Sequence, residues 1–252
     1  MKGVEWIVPD WPAPPNVRAL ITTRTGGVSL GPYASMNPAD HVGDEPLAVA
    51  ANRARLRAAL PSEPFWLKQV HGDLVAEAGS GPIEADASIA RVAKQVCAVL
   101  TADCLPVLLC AADGSVVGAA HAGWRGLCAG VLERTVAAMG VPGQQVLAYL
   151  GPAIGPRAFE VGPEVREAFM ALDDSAAAAF ASQANGKYLA DLYLLARQRL
   201  AKVGVTQVYG GGDCTYTDAA RFFSYRRDGA TGRMAALVWI DPGPSIGAVL
   251  PV

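Results

Sequence analysis

The feature that most constrains this chain is the stretch 96–112, the most apolar in the sequence, which is interrupted by Asp103 and Pro106. It is too short and too broken to cross a bilayer, for which a helix needs about 20 apolar residues. It reads instead as two buried strands, 96–100 and 106–110, joined by a polar loop that carries Cys104. Further strand-length apolar runs lie at 18–22, 65–70, 116–120, 145–150, 207–209 and 234–240. Helices are expected at 46–60, 124–139, 163–171 and 189–203, each opening near Pro, Gly or Asp and carrying apolar residues at three-to-four spacing, as Leu194, Leu195 and Leu200 do. The Ala-rich patch 176–179 reads as a helix or a surface segment. The fold class is therefore α+β, with mixed strands and helices and no internal repeat.

Composition bounds the setting. With 52% hydrophobic and 17% charged residues, 252 residues suffice for a sizeable core, and no shift in composition marks a linker, so one domain over 1–252 is expected. A net charge of -2 with scattered basic residues gives no footprint for nucleic acid. The first ten residues lack the basic flank and unbroken apolar run of a secretory signal, so neither export nor a membrane is expected. Five cysteines, an odd number without close spacing, fit a reduced, cytoplasmic protein. Cys97, Cys110 and Cys128 read as small buried hydrophobes, and Cys214, after Gly210-Gly211-Gly212, as a buried thiol.

The chain has only three histidines, and two of them end apolar runs and precede turns: His71 before Gly72-Asp73 and His121 before Ala122-Gly123. Cys104, in Thr101-Ala102-Asp103-Cys104-Leu105-Pro106, has the same strand-to-loop position. If one sheet edge gathers them, two imidazoles and a thiolate leave a fourth position open, the ligand set of a catalytic zinc whose water has its pKa lowered to about 7. Spacing alone equally admits three unrelated strand-end residues.

The sequence resembles the YfiH family, also called laccase-domain or multicopper polyphenol oxidoreductase proteins. The resemblance is carried by Thr22-Thr23-Arg24, Gly26-Gly27-Val28-Ser29, His41-Val42-Gly43-Asp44, Lys68-Gln69-Val70-His71-Gly72, Thr101-Ala102-Asp103-Cys104-Leu105-Pro106, His121-Ala122-Gly123-Trp124-Arg125-Gly126 and Phe223-Ser224-Tyr225-Arg226-Arg227-Asp228-Gly229, and it spans essentially the whole chain. It implies a single catalytic domain with a layered α/β/β/α-type sandwich of mixed sheets flanked by helices. It also implies zinc on His71, Cys104 and His121, and phosphorolysis of purine nucleosides (adenosine, inosine, guanosine, methylthioadenosine) together with adenosine deamination.

Those reactions need an anion site and a purine site. Arg125, opening the helix after His121, and Arg24, beside Gly26-Gly27, are candidates for phosphate, with surface ion pairing as the competing role. His41, Tyr225 and Arg226 are candidate substrate contacts, and Asp103 and Asp86 are either proton shuttles or hydrogen-bonding structural groups. Two other enzyme readings remain. One is a copper polyphenol oxidase, against which the single histidine outside the triad argues; copper then remains an adventitious occupant of the site. The other is a metal-free hydrolase with Cys104 as nucleophile and His121 as base, acting on an amide such as a cell-wall precursor. In a non-enzymatic binding module the three residues would be incidental.

Overall fold

The structure, a computed structural model, describes residues 6–79 and 84–241. Two sheets stack at its centre. One has the order β1 (Val17–Ile21), β13 (Met234–Ile240), β5 (Val96–Thr101), β2 (Pro64–Phe65). The other runs β12 (Gln207–Gly210), β8 (Val146–Leu150), β6 (Leu105–Ala111), β7 (Val117–Ala122), β4 (Ala87–Ala90), β3 (Val75–Glu77). A small third sheet holds β10 (Phe180–Ser182), β11 (Tyr188–Ala190) and β9 (Glu160–Val161).

The alternation of side chains along each strand builds the layers. In β6, Leu108 and Cys110 face the four-stranded sheet and pack with Cys97, Val99, Ala236 and Val238. Val107 and Leu109, the intervening residues, face the opposite way, onto α2 (Trp124–Ala129), α3 (Val131–Met139) and α5 (Leu192–Lys202) through Leu127, Leu132 and Leu195. On the far side, Ala98, Leu100 and Leu237 receive Leu56 of α1 (Pro46–Arg57). The order is helix, sheet, sheet, helix, the layered α/β/β/α arrangement that the family resemblance implies. Both inner strands of the 96–112 stretch are buried throughout, as a strand covered on both faces requires. Among the described residues no helix is long and apolar enough to cross a membrane.

Three expectations change in detail. The run 65–70 is a strand only over Pro64–Phe65, with one further bridge at Lys68; the chain leaves the sheet because Gln69 replaces backbone pairing, its side-chain amide bonding both the N–H and the C=O of Leu100 at 2.8 and 2.9 Å. His71 therefore stands on a loop and not at a strand end. The helix expected over 124–139 is broken at Gly130, whose φ of 101° only a residue without a Cβ adopts readily. The helix expected from 189 begins at Leu192, where the Asp191 carboxylate accepts from the N–H of Leu194 at 3.0 Å and caps the first turn; residues 188–190 belong to β11. Two remaining helices are α4 (Pro163–Met170) and α6 (Tyr225–Asp228), and the patch 176–179 ends a 3-10 helix, Asp174–Ala179.

Leu108 is fully buried between the two sheets, whereas Leu47 on α1 is 80% exposed. Leu108→Ala is expected to lower the free energy of unfolding by about 3 kcal/mol and Leu47→Ala by less than about 0.5 kcal/mol, read from chemical denaturation midpoints.

Candidate metal centre

Cys104 lies where the chain passes from β5 in one sheet to β6 in the other. Asp103 takes a φ of 90° to make that turn, a conformation costly for a residue with a Cβ unless its surroundings hold it. Here they do: its carboxylate accepts from the Thr215 hydroxyl and from the N–H of Arg226, both at 2.6 Å, and its carbonyl accepts from Ile154 N–H at 2.9 Å. Asp103 thus shapes the turn that presents Cys104, the structural of its two expected roles.

His121 is the penultimate residue of β7, opposite Pro106 of β6. Its Nδ1–H donates to Asp86 at 2.8 Å and its backbone N–H donates to the Asp86 carbonyl at 2.7 Å. That fixes the ring and leaves Nε2 for Cys104, to which it is hydrogen-bonded. The same carboxylate accepts the backbone N–H groups of Val70, His71 and Gly72 at 3.2, 2.9 and 2.7 Å. Those bonds hold His71 at a φ of 64°, again in the left-handed region. One fully buried acid therefore orients both histidines.

The ligand atoms of His71, Cys104 and His121 lie within 4.8 Å of one another. Cys104 Sγ is 3.7 Å from His71 Nε2, and the two rings meet edge to face at 4.7 Å between centroids. Gly123 closes one side: a Cβ there would stand 2.9 Å from both Cys104 Sγ and His71 Cδ2, so no larger residue fits without displacing the cluster. His121 is buried, Cys104 half-buried and His71 exposed, which leaves the group open on one side.

Electrostatics prepare the donors. Burial opposes a thiolate at Cys104, but the charges and hydrogen bonds of His121 and His71 outweigh it and bring the thiol down to about 6. Burial also opposes an imidazolium at His121, and the Cys104 thiolate and Asp86 carboxylate overcome it, raising the ring to about 9. For Asp86, burial is outweighed by the hydrogen bonds from His121, Gly72 and Val70, and its pKa is lowered. A thiolate and two imidazoles so placed are a donor set that can hold a metal ion.

The cluster forms the floor of a cavity of about 450 Å3 whose lining includes His41, Gln69, Tyr225 and Arg233. His41 and Tyr225, expected from sequence as substrate contacts, are thus brought to the cluster. Arg24, Arg125 and Arg226 lie outside that lining. Arg24 donates to the carbonyls of Ala34 and Ala219 at 3.1 and 3.0 Å and stacks on Phe223. Arg125 stacks on Trp124, and Arg226 donates to the Glu160 carbonyl at 2.7 Å. Arg233 and Gln69 were not singled out from the sequence. The signal for Arg233 was its position immediately before the apolar run 234–240, and it points to the cavity only once Met234 is known to pair with Thr101. Of the cysteines, Cys97 and Cys110 are buried as expected. Cys128 is half-buried, and Cys214 is half-exposed, bordering a separate cavity of about 260 Å3 and accepting from Gly155 N–H at 3.2 Å.

Removing the Asp86 carboxylate strands buried donors on two chain segments, at about 1–3 kcal/mol for a buried group left unsatisfied. Asp86→Ala is expected to destabilise the fold by about 3 kcal/mol and to weaken metal binding by about 10–100-fold. Denaturation and competition against a chromophoric chelator measure the two separately.

A family model described as multi-copper polyphenol oxidoreductase laccase matches residues 18–241. The chain is 60% identical over 239 residues to the Escherichia coli K12 protein named purine nucleoside phosphorylase YfiH, covering 93% of this chain and 98% of that one. It is 57% identical over 238 residues to the Pseudomonas aeruginosa protein named purine nucleoside phosphorylase PA4543, with 94% and 98% covered. The crystal structure of the Neisseria meningitidis protein NMB0706 superposes with a TM-score of 0.90 at 53% identity, covering 94% of this chain and 99% of that one. With the layered fold and the His-Cys-His cluster in place, these matches make the chain a member of the multi-copper polyphenol oxidoreductase laccase family, that of the YfiH proteins.

Proposed function

We propose that this protein is a zinc-dependent purine nucleoside phosphorylase that also deaminates adenosine, working in the reducing cytoplasm that its five unpaired thiols suit. The observation that carries the reading is the convergence of two imidazoles and one thiolate, within 4.8 Å of one another, on the floor of an open cavity. A volume of about 450 Å3 is in the usual range for small-molecule sites. The names of the relatives at 57 and 60% identity support the reaction class.

His71, Cys104 and His121 would hold the zinc. When bound, it supplies a Lewis acid with one coordination position open to an oxygen. The chain's own groups do the remainder. Asp86 keeps His121 in the tautomer that presents Nε2. Tyr225, 62% exposed at the cavity wall, offers a flat face and a phenol to a purine, and His41 offers ring nitrogens to the sugar or base. In phosphorolysis a phosphate oxygen bonds to the ribose C1′ as the bond from C1′ to the purine nitrogen breaks. The electron pair leaves with the base, which takes up a proton, and ribose 1-phosphate remains. In deamination, water adds at C6 and ammonia departs, giving inosine. The substrates on this reading are adenosine, inosine, guanosine and methylthioadenosine.

Zinc is favoured over copper by the histidine count. A multicopper oxidase needs a second, histidine-rich cluster, and His41 is the one histidine left outside the triad. Copper in stoichiometric amount, with a strong visible band, in protein purified without added metal would overturn this assignment.

A second reading has a specific observation behind it: the thiol of Cys104, lowered to about 6 and 3.7 Å from His71 Nε2, has the character of a nucleophile in a metal-free amide hydrolase. Chelators separate the two readings. Zinc chemistry is lost on chelation and on alkylation of Cys104, whereas a cysteine hydrolase survives chelation.

Incubation of purified protein with adenosine or inosine, with and without phosphate, tests the main proposal. Free base is expected only when phosphate is present, and inosine is expected from adenosine in either case. His71→Ala, Cys104→Ala and His121→Ala should each lower both rates by at least about 100-fold, more than loss of an outer-shell group does. Base release that is indifferent to phosphate would sink the phosphorylase reading.

A further inference from the structure

We propose that Arg233 is the anion-binding residue of the metal cavity and takes the phosphate co-substrate. This rests on the phosphorylase reading and deepens it, replacing the roles expected of Arg24 and Arg125.

The argument begins with an account of the cations around the cluster. Phosphate recognition calls for a guanidinium or ammonium with donors to spare. Four nearby arginines spend donors on the chain and stand outside the cavity lining. Arg24 spans two carbonyls. Arg227 donates to the carbonyls of Thr215, Tyr216 and Phe222 and pairs with Asp228. Arg53 is bound to Asp40 and to the Pro38 carbonyl. Arg226 is tied to the Glu160 carbonyl. These side chains hold loops together. Among the described residues, Arg233 is the one Lys or Arg that lines the cavity, and no Asp or Glu lines it.

The setting of Arg233 is that of a fixed, partly buried charge awaiting a counter-ion. One guanidinium nitrogen, Nη1, donates to the carbonyls of Thr231 and Gly232 at 2.9 and 3.0 Å. Nε and Nη2 have no such tie, and the side chain makes no ion pair with a carboxylate among the described residues. Its backbone N–H donates at 3.0 Å to the Oδ1 of Asn37, itself fully buried. The preceding Gly232 has no room for a side chain, since a Cβ there would stand 2.7 Å from the Phe223 ring and 2.9 Å from Asn37. Asp103, the nearest carboxylate to act on Arg233, has both oxygens occupied by Thr215 and Arg226. Burial works against the charge on Arg233, and the attraction that offsets it comes first from the Cys104 thiolate. A cation held by Cys104 would neutralise that thiolate and leave the guanidinium to meet an incoming anion. A guanidinium that stays charged at any working pH and has been partly stripped of water gains most from an anion placed against it.

The test compares Arg233→Gln and Arg233→Lys with the parent, and with Arg125→Gln, a change outside the cavity lining. The readouts are KM for phosphate, KM for the nucleoside, kcat, bound metal, and the thermal shift given by inorganic phosphate alone. Arg233→Gln is expected to raise the phosphate KM at least about 10-fold, with a much smaller rise in nucleoside KM, and to abolish the shift with phosphate, while metal content stays at the parent's value. Arg233→Lys, which keeps the charge without the fork, should fall between, and it serves if Arg233→Gln does not fold. Arg125→Gln should leave the phosphate KM within about 2-fold of the parent. An unchanged phosphate KM and thermal shift in both Arg233 variants, or a fall in kcat with no change in phosphate KM, overturns the proposal. Should the parent show no phosphate-dependent cleavage, the phosphorylase reading fails by itself. Phosphate binding then still decides for Arg233: a shift in the parent that Arg233→Gln loses supports it, and no shift in the parent overturns it.

Discussion

The site depends on one buried carboxylate. Asp86 has no solvent exposure, and a lone ion in such a place is costly. Its four hydrogen bonds, three from consecutive backbone N–H groups and one from His121, offset that cost, and they are also what defines the centre. The 70–72 loop has no strand partner of its own beyond the bridge at Lys68. Without the carboxylate, its N–H groups would turn to water, and nothing else would hold His71 in the left-handed region. Asp86 immediately precedes β4, which pairs with β7 in register from Ala87 and Ala120 onward. Sheet pairing thus sets the distance between Asp86 and His121, and Asp86 carries that placement over to His71.

The topology explains why the cluster forms where it does. β5 belongs to the four-stranded sheet and β6 to the six-stranded sheet, so the link between them bridges the two central layers. Cys104 sits in that link. Next to it, the layers part and a cavity opens that both sheets line. The six-stranded side supplies His121 from β7, and the four-stranded side supplies Thr101 of β5 and Arg233, one residue ahead of β13. His121 and Thr101 stand in buried strands and Cys104 and Arg233 directly beside them, which gives the site a rigid base, while His71 comes from a loop. The left-handed backbone at both His71 and Asp103 shows where that rigidity is used: two conformations that a free loop would seldom adopt are held by side-chain carboxylates.

Much of this was legible in the sequence. The apolar run 234–240 is β13 to the residue, and the broken run 96–112 is the β5–β6 pair at the centre of the molecule. The strands that escaped notice are the three-residue β3, β4, whose Ala87-Ser88-Ile89-Ala90 has a single β-branched residue, and the two- and three-residue strands of the small sheet. The residue types of the His-Cys-His cluster stand out in the sequence because His and Cys are scarce here and stand beside turns. Their mutual distance was not legible, since it comes from a strand crossing and from Asp86, whose role depends on the spatial neighbours that folding supplies. Gln69 was invisible for a related reason. Its work is to stand in for a strand's backbone, which no local pattern encodes.

The arginines show most sharply where residue type alone misleads. Arg24, Arg125 and Arg226 were attractive as anion binders because they lie next to glycine loops, a helix start or an aromatic residue. Those same settings offer the guanidinium other uses. A glycine-rich loop exposes carbonyls, and Arg24 spends two donors on them; an aromatic neighbour offers a ring face, and Arg125 lies on Trp124 as Arg233 lies over Tyr225. Five donors in a planar fork make arginine as good a loop brace as a phosphate clamp. What separates the two uses is where the folded chain places the guanidinium. A brace has its donors met by the chain, whereas a binding arginine is fixed by some of its donors and presents the rest to a cavity without a carboxylate. In this structure Arg233 is the arginine that lines the cavity, held by the chain through Nη1 on the same wall as Cys104 and the two histidines.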